Sequence, residues 1–287
     1  MASDAPLDGR VAPVPGVAKP DPILVADGIV RRFGGLTAVD VEHLEIQRGV
    51  ITALIGPNGA GKTTLFNVLT GFDTPQSGRW SFEGNELSEL PAHRVARSGM
   101  IRTFQLTKSL NRMRVLENML IAAPAQRGER FLAALGTGWR AQEQANVERA
   151  LGLLRRFRID HMADEYAGEM SGGQRKLLEM ARALMAEPTL LMLDEPMAGV
   201  NPSLTQSLLG HITDLRADGM SILFVEHDMD VVMDISDWVI CMAEGRVIAE
   251  GTPRQIAKDP RVVDAYLGTR RAEGMAGSGH GAAEGDR

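Results

Sequence analysis

The sequence predicts an α/β domain in which helices cover a mainly parallel β-sheet and the chemistry sits at one edge of that sheet. Three observations lead there. Short apolar runs at 51–55, 190–193, 222–225 and 239–242 stop abruptly at polar or turn residues, as strands buried on both faces do. Helical periodicity lies between them: Asn201 caps, Pro202 takes the first helical position, Leu204, Leu208, Ile212 and Leu215 recur at helix spacing, and Asp218-Gly219 ends the segment. Strand, helix and strand in that order imply a parallel sheet whose ligands bind beyond the carboxyl ends of its strands.

Length and composition narrow the function. A chain of 287 residues holds one sizeable core, or a main domain with a smaller lobe. With 44% hydrophobic and 24% charged residues it has the balance of a globular protein. A net charge of −6, without a strong local basic surface, argues against nucleic acid as a partner. No apolar stretch approaches the roughly 20 residues of a spanning helix, so a membrane role has to come through partner subunits. Cys241 is the only cysteine and the six histidines are scattered, which excludes a disulfide framework and gives no metal-site spacing; Cys241 reads as a small packed apolar residue.

Residues 1–20 are rich in Ala, Pro and Gly and lack the apolar core of a secretory signal. They read as a disordered leader, and the chain as cytosolic. The ordered domain spans 21–269, and strand signals fade between about 92 and 186, where a helical lobe is expected. The Gly/Ala-rich stretch 270–287 reads as a disordered tail because it has almost nothing to bury. No internal repeat is visible.

The most specific motif is Gly56-Pro-Asn-Gly-Ala-Gly-Lys-Thr63, directly after a strand and before the helical run from Thr64 to Gly71. It fits G-x-x-x-x-G-K-[ST]. Gly56, Asn58, Gly59, Ala60 and Gly61 present backbone N–H groups to an anion at a positive helix end, with Lys62 reaching the terminal phosphates and Thr63 and Thr64 opening the helix. The Thr63 hydroxyl is a Mg²⁺ ligand in this reading. ATP or GTP with Mg²⁺ is therefore expected.

Asp194 and Glu195 follow the run from Leu190, at the ligand-binding edge of a buried strand. The two acids have different work: Asp194 holds Mg²⁺ through its hydration shell, and Glu195 polarises the water that attacks the γ-phosphate. Without the phosphate loop upstream, such a pair reads as a solvated turn.

Ser171-Gly-Gly-Gln174 precedes a helix with an apolar face of Leu177, Leu178, Ala181, Leu184 and Met185. The S-x-x-Q spacing is that of a capping box. The two glycines are poor helix formers and suit a place where bare backbone approaches a ligand. With Met170 it resembles the signature motif of ABC ATPases, and its place between the phosphate loop and Asp194-Glu195 is that family's order. The resemblance covers 23–268 and implies a P-loop NTPase core with a small antiparallel β part near the N-terminus. It implies head-to-tail pairing of two ATPase chains, alike or different, in which Ser171, Gly172 and Gly173 close on the γ-phosphate held by the partner, with Gln174 also among the nucleotide-binding residues.

By the same resemblance Gln105 is the Q-loop glutamine that senses Mg²⁺ and the attacking water, His227 the switch histidine on the γ-phosphate, and Phe33 an aromatic that stacks on adenine. Phe33 reads equally as part of a packed Phe-Gly-Gly turn, and Asn201, where many relatives carry aspartate, as a helix cap or a contact across the dimer. The wording around 32–39, 102–105, 226–230 and 264–268 resembles the ATPases of branched-chain amino-acid importers, whose relatives carry amides or urea. That implies two permease subunits, an extracytoplasmic solute-binding protein and a place on the cytoplasmic face of the membrane. The stretch 106–120, with Lys108, Arg112 and Arg114, then either meets the permeases or is a solvated basic face. Rival readings are the ATPase of a lipopolysaccharide-type exporter, a soluble ABC ATPase without a permease, and a nucleotide-gated module without turnover.

Overall fold

The computed structural model describes residues 7, 9–103, 110–124 and 138–267. Gln105, Lys108 and the expected tail 270–287 lie outside the described residues. The chain divides into one compact unit of residues 1–89 and 225–287 and a second of residues 90–224.

The first unit opens with a long antiparallel hairpin, β1 (Pro22–Phe33) against β2 (Leu36–Gln47), paired from Pro22 opposite Gln47 to Phe33 opposite Leu36 with register shifts between Pro22 and Leu24 and between Arg31 and Arg32. Ile23, Leu24, Ala26 and Ile29 are buried while Val25, Asp27 and Val30 are half-buried, so β1 lays apolar side chains on a core although its alternation is imperfect. β4 (Ser77–Phe82) adds antiparallel to β1, and the two-residue β5 (Asn85–Glu86) closes this sheet in the order β2-β1-β4-β5. This is the small antiparallel part that the resemblance implied. The same unit holds β3 (Ile51–Ile55), wholly buried, running parallel to β9 (Trp238–Ala243), which pairs antiparallel with β10 (Arg246–Gly251). Helices α1 (Lys62–Leu69), α7 (Met229–Ile235) and α8 (Pro253–Ile256) accompany these strands, and a helical segment at 260–267 follows.

Residues 9–20 differ from the loose leader expected of their composition. Leu7 and Val11 are buried, and the Lys19 ammonium donates to Glu250 at 2.7 Å with both side chains no more than 1% exposed. The same ammonium lies 4.9 Å from the Trp238 ring centroid, and the Trp238 indole N–H (3.1 Å) and the Gly16 N–H (2.7 Å) also donate to Glu250. Apolar periodicity could not reveal this segment, because polar contacts to residues far along the chain hold it.

In the second unit, β6 (Met100–Arg102) and β7 (Leu190–Asp194) run parallel, with β8 (Ser221–Val225) beside β7. Among its described residues are helices α2 (Ala92–Arg97), α3 (Val115–Leu120), α4 (Gly138–Arg156), α5 (Gly172–Met185) and α6 (Pro202–Ala217). Asn201 caps α6 by accepting from the Leu204 N–H at 3.0 Å, Pro202 stands in the first turn and Asp218 ends the helix. The described residues of 92–186 are mainly helical but include β6, whose three residues are too few to register as a strand. Buried Asn118 ties the segment before α3 into place, accepting from Leu110 N–H and donating to the Leu110, Met113 and Arg114 carbonyls.

Candidate functional site

In the first unit, the buried run of β3 delivers the chain into the loop 56–61, and α1 starts at Lys62. Two of its glycines are dictated by geometry. Gly56 has φ 149° and Gly61 φ 98°, and a Cβ would lie 2.1 Å from the Met242 carbonyl oxygen at the first and 2.3 Å from that of Ala38 at the second. Only bare backbone fits against those carbonyls. The loop is also held from behind, since Gly245 N–H donates to Ala60 O at 3.0 Å. Asn58 and Gly59 are exposed, Ala60 is buried, and Thr63 and Thr64 stand exposed and half-buried on the first turn of α1. That turn has no side-chain cap and no acidic residue, so its N–H groups and positive dipole end are not neutralised by the usual devices. The Lys62 ammonium donates to the Gly56 and Pro57 carbonyls at 2.6 and 3.0 Å.

Phe33 ends β1 with 49% of its surface exposed, and the Arg31 guanidinium lies 4.4 Å from its ring centroid while pairing with Asp73 at 2.8 Å. A packed turn would have buried this ring. His227 is exposed just beyond β8, its backbone N–H donating to the buried Glu226 carboxylate at 3.3 Å.

In the second unit, Asp194 ends β7, 4% exposed, and its Oδ2 accepts from Arg102 at 2.6 Å. The arginine partner had no signal in the sequence, because it stands 92 positions earlier and becomes a neighbour only through the β6/β7 pairing. Glu195 has φ 47°, a left-handed conformation that costs a residue with a side chain about 1–3 kcal/mol and persists only where surroundings impose it. The turn that imposes it is closed by Ala198 N–H to Glu195 O at 3.1 Å.

Ser171 caps α5: its hydroxyl accepts from Gln174 N–H at 3.3 Å and the Gln174 side chain accepts from Ser171 N–H at 2.8 Å. The capping box is thus real, and the two glycines between have different reasons to be small. A Cβ on Gly173 would overlap a methyl of Leu204, whereas Gly172 is exposed with nothing within 4 Å of where a Cβ would stand. Gly172 is the one whose surroundings are open.

Each unit offers an oxygen of the kind Mg²⁺ accepts: the Thr63 hydroxyl at the head of α1 in the first, and the Asp194 carboxylate oxygen outside its ion pair in the second, while among the described residues no three His, Cys, Asp or Glu side chains gather into a metal cage. Magnesium commonly takes one or two protein ligands and completes its shell with phosphate and water.

The chain matches the family described as ABC transporter over residues 39–198 and the one described as branched-chain amino acid ATP-binding cassette transporter over residues 246–272. It is 43% identical to a probable branched-chain amino acid transport ATP-binding protein of Archaeoglobus fulgidus, over 88% of this chain and 97% of the relative. It is 42% identical to the high-affinity branched-chain amino acid transport ATP-binding proteins of Pseudomonas aeruginosa and Escherichia coli, over 86% of this chain and 98% of each. A solved ATP-binding cassette of an ABC transporter in its ADP conformation superposes with a TM-score of 0.75 at 37% identity, over 86% of this chain and 99% of that one. The phosphate loop, the acid pair and the capped Ser171 helix thus stand in a chain that belongs to the ABC transporter family, among its ATP-binding cassettes.

Proposed function

We propose that this chain is the ATP-binding and ATP-hydrolysing subunit of an importer for branched-chain amino acids or related small amides. The observation that carries the reading is the loop 56–61, backed so closely by the Met242 and Ala38 carbonyls that only bare backbone fits, and leading into a helix end without a side-chain cap. Such an end takes an anion. Gly56 opens the loop, Asn58, Gly59, Ala60 and Gly61 with Thr64 wrap the β- and γ-phosphates, and Lys62 exchanges its contacts with Gly56 and Pro57 for the phosphates. Adenine stacks on the exposed Phe33 ring.

Hydrolysis divides among residues of different kinds. Thr63, Asp194 and Gln105 would hold Mg²⁺, which would neutralise charge building on the phosphate oxygens. Glu195, fixed by its strained turn, accepts the proton of the attacking water, and His227 contacts the γ-phosphate. Ser171, Gly172, Gly173 and Gln174 face the nucleotide of a second ATPase chain, so dimer closure completes two sites together. Two permease subunits receive that closure, an extracytoplasmic solute-binding protein supplies the cargo, and the chain sits at the cytoplasmic face of the membrane. Among the described residues no helix is long and apolar enough to cross it. The match over 246–272 supports this branch over an exporter ATPase.

The test is uptake of radiolabelled leucine into vesicles carrying the permeases that copurify with this chain. Uptake driven by internal ATP and lost with Lys62→Ala is expected; ATP hydrolysis that accompanies export, or that needs no permease, would contradict the reading.

A further inference from the structure

The peptide that begins the phosphate loop is gripped at both of its polar atoms. Gly56 N–H donates to the Tyr266 hydroxyl at 3.0 Å, across 210 positions of sequence, while Gly56 C=O accepts from the Lys62 ammonium at 2.6 Å. No side chain is available at position 56 itself to anchor the loop, because a Cβ would strike the Met242 carbonyl oxygen at 2.1 Å. Anchoring falls to main-chain contacts. When Lys62 turns toward a phosphate the carbonyl loses that donor, and the tyrosine contact on the N–H remains. Burial, with Cys241 nearby, pushes the phenol up to about 12, so it stays neutral with its oxygen accepting throughout any working pH. Tyr266 stands in the helical segment 260–267, within the 246–272 match, and none of the phosphate-loop motif predicts it.

We propose that Tyr266 is a positioning residue for ATP: its hydroxyl fixes the Gly56 peptide so that the loop N–H groups stay aimed at the phosphates, which makes the C-terminal segment part of the nucleotide site. The proposal rests on the reading of 56–63 as the ATP loop and goes beyond it by tying that loop to a remote element.

The experiment is Tyr266→Phe in the full chain, which keeps the ring and removes the acceptor. Loss of one hydrogen bond to a buried N–H raises the Kd for ATP about fivefold, measured by calorimetric titration with Mg²⁺, and Gly56 amide exchange speeds up. In the assembled transporter KM for ATP rises by a similar factor, and kcat changes less than KM. A lowered melting temperature with unchanged Kd would make Tyr266 a packing residue only and overturn the proposal. Failure of the wild-type chain to bind ATP would overturn the loop reading and this proposal together. Hydrogen exchange on the wild-type chain decides the matter even if the variant does not fold: a Gly56 amide protected with ATP bound supports the contact, and one that exchanges freely refutes it.

Discussion

Replacing Lys19 with methionine tests the least expected feature of the fold, the docking of the N-terminal segment. Methionine keeps most of the stem that lies over Trp238 and removes the charge. Glu250, whose side chain has no exposed surface, then keeps the Gly16 N–H and the Trp238 indole as donors but loses its cation. Breaking one side of a buried pair costs about 3–5 kcal/mol, and the two surviving hydrogen bonds place this case near the lower end, ~3 kcal/mol. For a domain of this size each kcal/mol lowers the melting temperature by about 2–4 °C, so a drop of roughly 6–12 °C is expected in thermal unfolding followed by tryptophan fluorescence. The double variant Lys19→Met with Glu250→Gln, in which no charge is stranded, recovers much of that loss. A single variant melting within about 2 °C of the wild type would refute the buried ion pair and with it the docking of residues 9–20.

The remaining predictions concern the site and its supports. Glu195→Gln keeps ATP binding and slows hydrolysis about 10²–10³-fold, read by phosphate release from the assembled transporter. Gly61→Ala drives a methyl into the Ala38 carbonyl and weakens nucleotide binding more than about tenfold, since the strain at φ 98° and the clash add; fluorescent-nucleotide titration reads it. Asn201→Ala removes the α6 cap and costs ~1 kcal/mol in urea unfolding. Burial against Phe157 lowers the His211 pKa below 6.5, so the unfolded chain takes up the proton first: the neutral histidine's contribution is full above about pH 6.5 and is lost as pH falls below it. His43 works in reverse. Although its own partial burial lowers the pKa, Asp27 and Glu45 outweigh that and raise it, so its contribution is full below about pH 6.5 and fades as pH rises through the folded value. Unfolding of His211→Leu and His43→Asn across pH 5 to 8, compared with wild type, separates the two signs.

What could be read from the sequence was what depends on neighbours along the chain. The runs that became β3, β7, β8 and β9 were visible because burial on both faces leaves their interiors almost wholly apolar, with Thr52 in β3 the exception. The α6 boundaries were visible because Asn201 and Pro202 act on the adjacent turn. The phosphate loop was visible because a short segment must supply glycine, lysine and threonine at fixed spacing. What escaped depends on partners brought near only by folding: Arg102 on Asp194, Tyr266 on Gly56, and Lys19 on Glu250. The β1/β2 hairpin came only through the family resemblance, because its alternation is broken by charged and half-buried positions. The left-handed conformation of Glu195 had no signal either, since nothing in Asp-Glu-Pro distinguishes a strained turn from a relaxed one.

The central claim is that this loop grips a nucleotide whose cleavage needs Glu195. Equilibrium dialysis of the Glu195→Gln chain with labelled ATP and Mg²⁺ tests it most directly. One intact ATP per chain, with paired chains in sedimentation and no retention by Lys62→Ala, is the expected result. Rapid cleavage of that ATP, or equal retention by the Lys62→Ala chain, would contradict it.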